Sequence, residues 1–72
     1  MSISHSENGN HRAALQAAEM TRQSAVAAAG SQAAVKAAEI TFYRTARASA
    51  IANGLSPTPF TYALLELGTG GS

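Results

Sequence analysis

From Ala13 to Ala29 every residue is a good or tolerable helix former, and alanine, at the top of the propensity scale, dominates the run. Glu19 and Arg22 sit three apart, close enough to pair across one turn. Gly30-Ser31 comes next. Glycine after one helix and serine capping the next would make a turn. A glycine inside a single helix, at a cost of ~1 kcal/mol, would also survive among so many alanines. The stretch from Gln32 to Asn53 carries larger side chains: Val35, Ile40, Phe42, Tyr43 and Ile51. Asn53-Gly54 predicts a helix stop, with Leu55 placed for the hydrophobic contact that accompanies such ends. Ser56 then predicts a cap and Pro57 a first helical position. Phe60, Leu64 and Leu67, with Ala63 beside them, recur at i, i+4 and i+7, which predicts a short amphipathic helix over 57–67. Gly68 ends it and 68–72 reads as a flexible Gly-rich tail. Residues 1–10 form a polar lead-in, flexible or partly helical. Ser4 and Glu7 there have capping-box spacing behind Ile3, but Asn8-Gly9-Asn10 opposes a helix, and Asn10 is the other candidate cap. Firm helix is expected from about His11.

The fold class is therefore all-α: an Ala-rich helical region over 11–53, a turn at 54–56 and a C-terminal helix. Two patterns compete over the long region. AALQAAEMT (Ala13 to Thr21) returns twenty residues later as AAVKAAEIT (Ala33 to Thr41), with six of nine positions identical. Two similar helices folded back at Gly30 would explain that echo; chance similarity in a low-complexity stretch would also produce it. Against the hairpin, Ala14, Thr21, Ala28, Val35, Phe42 and Ser49 hold one heptad row, and Ala17, Ser24, Ser31, Ala38, Thr45 and Ala52 hold its partner row, through Gly30 without a slip. Sustained heptads favour one long or gently bent helix, about 65 Å from His11 to Asn53, packed against another.

Composition changes how that region is understood. The apolar fraction is 46% of 72 residues, but 17 of those residues are alanine. One alanine methyl contributes on the order of 0.8 kcal/mol on burial, against roughly 1.5–3 kcal/mol for a large side chain. Chains of this size usually need disulfides, a metal or oligomerisation to be stable, and there is no cysteine. Oligomerisation, or docking on a larger partner, is the expected source of stability. The net charge of +1 is too balanced for a nucleic-acid footprint. No apolar run approaches the ~20 residues of a membrane span, and no secretory signal opens the chain. Synthesis in the cytoplasm fits these features.

Withheld bulk along the seam Ala14, Ala17, Thr21, Ser24, Ala28, Val35, Ala38 and Phe42 would let two helix backbones approach closely and gain many small dispersion contacts. The bulky residues Phe42, Leu55, Phe60, Leu64 and Leu67 are expected to form an anchor cluster that folds the C-terminal helix back onto the long one. Lys36, Arg44 and Arg47 are candidate contacts for a polyanion, although a solvated helix face is the plainer reading. His5 and His11, six apart, do not share a helical face, so no metal is expected. No serine stands in a nucleophile elbow, and Gly68-Thr69-Gly70-Gly71 lacks the lysine and following helix of a phosphate loop. No cofactor is implied, and catalysis is not expected. A membrane-surface role is not expected either, because no face combines lysines with large apolar residues.

The run EITFYRTARASAIANGLSP, followed by ALLELGTGG, spans Glu39 to Gly71. It resembles small alanine-rich proteins encoded by tailed bacteriophages and prophages, over about half the chain and without a diagnostic motif. The resemblance implies a virion component or assembly accessory, present in several copies and bound to a larger capsid, portal or tail protein. The leading expectation is a non-enzymatic structural or assembly protein that associates with copies of itself or with such a partner. The alternative is a small nucleic-acid-binding regulator using Lys36, Arg44 and Arg47.

Overall fold

The computed structural model describes residues 2–68, with side chains from residue 9 onward. It contains three helices, α1 (Ser2–Ala28), α2 (Gln32–Ala52) and α3 (Thr58–Glu66), and no strand among the described residues. The all-α expectation holds. Of its two arrangements the hairpin forms, and the single long helix does not: the chain reverses at 29–31, α1 and α2 pack together, and α3 packs back onto α2.

The reversal spans Ala29, Gly30 and Ser31, and Ser31 begins the second helix. Ser31 is fully extended, with φ −158° and ψ 165°, and its hydroxyl accepts a hydrogen bond from the Ala34 N–H at 3.2 Å. That is an N-cap, and it starts a new helix where the heptad rows would have run on. Packing supplies the remaining preference. A hairpin half-buries Leu15, Val26 and Phe42, which a lone helix would leave in water.

The other boundaries follow local chemistry. At the end of α2 the Leu55 N–H donates to the Ala50 carbonyl at 2.8 Å and the Gly54 N–H to that of Ile51 at 3.2 Å. With Gly54 at φ +72° this is a Schellman end, as Asn53-Gly54-Leu55 predicts. Gly68, at φ +87°, ends α3 in the same left-handed conformation. α3 begins one residue later than expected: Pro57 is its cap position and its side chain accepts no cap hydrogen bond, while Ser56 Oγ accepts from the Thr58 N–H at 3.4 Å. α1 begins well before His11. Its backbone is helical through Asn8-Gly9-Asn10, so neither Ser4 nor Asn10 is the cap. The Ser4–Glu7 side-chain pairing, the His5 ring and the tail from residue 69 lie outside the described residues.

The molecule measures 45 × 25 × 12 Å, and its radius of gyration is 13.2 Å. A compact chain of this length would have a radius of about 11 Å. The hairpin and α3 therefore form a slab little thicker than one helix. Its interior is correspondingly small: among the described residues, the buried apolar ones are Ala38, Ala46, Ala50 and Leu64. Three of the four are alanines of α2, the middle helix, where absent side chains let its neighbours come close.

Candidate helix-packing surface

Helical spacing places three faces on α1. His11, Leu15, Ala18, Arg22, Val26 and Ala29 are half-buried and recur at three- and four-residue steps, the stripe that meets α2. On one flank of that stripe lies an open groove of about 760 Å³. From α1 it is lined by Ala14, Ala17, Ala18, Thr21, Arg22, Ala25 and Ala28, and from α2 by Ala34, Ala37, Ala38, Thr41, Phe42 and Thr45, with Ala29 and Gly30 closing its end. On the other flank, Arg12, Leu15, Gln16, Glu19 and Met20 border a second hollow, which Phe42 also reaches.

Six of the eight seam residues named from the heptads, Ala14, Ala17, Thr21, Ala28, Ala38 and Phe42, line the groove. Ser24 and Val35 are not among its lining residues. Ser24 is exposed on α1, and half-buried Val35 lies in a hollow between α2 and α3 beside Leu67. The reversal at Ser31 resets the helical phase, so a row continuous in sequence does not stay on one surface.

The twenty-residue echo does stay on one surface. Each α2 residue of the groove stands twenty positions after an α1 residue of the groove: 14 and 34, 17 and 37, 18 and 38, 21 and 41, 22 and 42, 25 and 45. Within the echo itself, four of the six identical pairs line the groove. The three exchanged pairs, Leu15/Val35, Gln16/Lys36 and Met20/Ile40, all lie off it.

One charged side chain borders the groove, and it is neutralised. Arg22 Nε donates to Glu19 Oε1 at 2.7 Å, and its Nη2 pairs with Glu19 Oε2. Gln23 Nε2 donates to the same Oε2 at 3.0 Å. The Arg22 hydrogen bonds, followed by that from Gln23, bring the Glu19 pKa from 4.5 down to about 2. The same pairing raises the Arg22 pKa above its ordinary value.

The residues expected to anchor α3 differ in burial. Leu64 is fully buried, and Leu55, Phe60 and Leu67 are half-buried. Phe42 belongs with the α1–α2 contact, where it lines hollows on both flanks and meets Tyr43 edge-on at 5.2 Å. The residue that sequence reasoning missed is His11. Its Nδ1 lies 2.8 Å from Ser49 Oγ on α2, and its ring meets Phe60 of α3 edge-on at 6.1 Å. It thus touches both other helices. Nothing local marks it, because Ser49 is 38 residues away.

Lys36, Arg44 and Arg47 fall within about 80° of one another around α2, at about 100° per residue. Neither Arg44 nor Arg47 is without a partner in the chain. Lys36 Nζ lies 3.8 Å from where a Cβ on Gly68 would stand. That places its charge against the C-terminal end of α3, which favours cations. Among the described residues no three His, Cys, Asp or Glu side chains gather as metal ligands, and no helix is long and apolar enough to cross a membrane. Comparison with known protein families, with curated proteins and with solved structures finds no match to this chain.

Proposed function

We propose that this is a non-enzymatic structural or assembly protein, which acts by packing its helices against copies of itself or against a larger partner. One observation carries the reading: among the described residues the slab buries three alanines and one leucine. Domains ordinarily close a core between two packed layers, and this chain supplies little more than one. The resemblance of Glu39–Gly71 to small tailed-phage proteins supports a narrower form. In that form the protein is made in the cytoplasm and joins a virion, or helps to build one, on a capsid, portal or tail protein.

The test is thermal unfolding and sedimentation over a wide range of protein concentration. Association that stabilises the folded state makes Tm rise with concentration, by about 5–10 °C per tenfold for a dimer of this size. The mass should exceed 7.3 kDa. A lone 7.3 kDa species with a stable, concentration-independent Tm would overturn the self-associating reading.

A further inference from the structure

α2 ends on two residues that can react with each other. An asparagine followed by glycine cyclises in water. The glycine nitrogen attacks the side-chain amide carbon, the Cγ–Nδ2 bond breaks, and the amide nitrogen leaves as ammonia with the proton the glycine gives up. Water then opens the resulting succinimide at either carbonyl. The product is aspartate or, with the Cβ carbon drawn into the main chain, isoaspartate. Glycine is the follower that permits this best, because no Cβ obstructs the approach of its nitrogen. The chain carries the pair at Asn53-Gly54 and also at Asn8-Gly9.

At Asn53 the fold holds the reacting groups apart. Its ψ of 11° eclipses the Gly54 nitrogen with the Asn53 nitrogen and turns it away from Cβ. A five-membered ring needs that nitrogen on the Cβ side. The Gly54 N–H donates to the Ile51 carbonyl at 3.2 Å and the Leu55 N–H to that of Ala50 at 2.8 Å, so rotation at Asn53 breaks the end of α2. The leaving group is held as well: Nδ2 donates to the Ser49 carbonyl at 2.8 Å and lies 3.4 Å from Ser49 Oγ. We infer that Asn53-Gly54 is a site of self-modification to aspartate and isoaspartate, kept closed by the docked end of α2 and opened when α3 leaves α2.

The product does not rebuild that end. Isoaspartate lengthens the main chain ahead of Gly54, so Gly54 and Leu55 lose register with Ile51 and Ala50. Either product replaces the Nδ2 donor by a carboxylate. That leaves the Ser49 carbonyl without its side-chain donor and sets a negative charge at a helix C-terminus, where the dipole disfavours it. Ser49 is also the residue that meets His11 of α1, and the His11 ring meets Phe60 of α3. The damage therefore reaches the junction of all three helices, and a chain that has opened and reacted closes less well.

The test follows Asn53 by peptide mapping of the full chain, held in mildly alkaline buffer with and without guanidinium chloride. Trypsin cuts after Arg12 and Arg47, so the two Asn-Gly pairs fall on different peptides. Asn53 should react about tenfold or more slowly in buffer than in denaturant, because the bonds that hold it must open first. Phe60→Ala, which removes the α3 ring in contact with His11, should raise the rate in buffer and leave the rate in denaturant unchanged. The isoaspartate form, separated by chromatography, should unfold about 4–8 °C or more below the parent chain. Asn53→Asp, which keeps the main chain intact, should lose less. Equal rates in buffer and denaturant, a rate in buffer indifferent to Phe60→Ala, or an isoaspartate form as stable as the parent would overturn the inference.

Discussion

One hydroxyl ties three elements together. Ser49 Oγ lies 2.8 Å from His11 Nδ1 and 3.4 Å from Asn53 Nδ2, and the His11 ring also meets Phe60. Ser49→Ala would leave a half-buried imidazole nitrogen without its partner, so a loss of about 1 kcal/mol is expected, read as a lower urea midpoint at unchanged m-value. Glu19 gives the pH-dependent counterpart. Its folded pKa of about 2 lies below the ordinary 4.5. The stabilisation from its contacts is therefore complete above pH 4.5 and lost as pH falls toward 2. Carboxylate chemical shifts should show that low midpoint, and Arg22→Ala should return it toward the ordinary value. Adding salt should weaken the effect, because the pair is solvent-accessible. The spacing of Glu19 and Arg22 makes this pair legible in the sequence. The contact of His11 with Ser49 is not, because it depends on how two distant helix turns come to face each other.

At the scale of the elements, the glycines at the turns are not equivalent. Gly54 holds a left-handed φ of +72°, where any L side chain is strained. Gly54→Ala should cost about 1–2 kcal/mol. Gly30 is not among the glycines at positive φ, and a Cβ there would meet nothing within 4 Å. Gly30→Ala should be neutral or stabilise by about 0.4–1 kcal/mol, by restricting the unfolded chain. Thermal unfolding of the two variants side by side checks both. The end of α2, the amphipathic spacing of Phe60, Leu64 and Leu67, and the serine cap at 31 are all local signals, and each was readable. The continuous heptads misled because a count through Ser31 assumes a single helical phase. An alanine-rich helix satisfies many periodicities equally well, since so few of its positions are distinguished by size.

At the scale of the whole molecule, shape governs the expected behaviour. Three helices laid in a slab of 45 × 25 × 12 Å close no interior between layers. That is why stability is expected to depend on concentration rather than on the chain alone. The sequence by itself determined the all-α class, the shortage of bulk, the helix ends at Asn53-Gly54 and Gly68, and a repeated segment of unknown purpose. These rest on propensity, capping and side-chain size, which act over a few residues. Only the tertiary structure decided that the chain reverses at 29–31, that His11 joins α1 to α2 and α3, and that four of the six identical echo pairs line one groove. Those outcomes depend on the phase at which one helix meets another. No local rule contains that phase, because it is settled between residues as distant as His11 and Ser49.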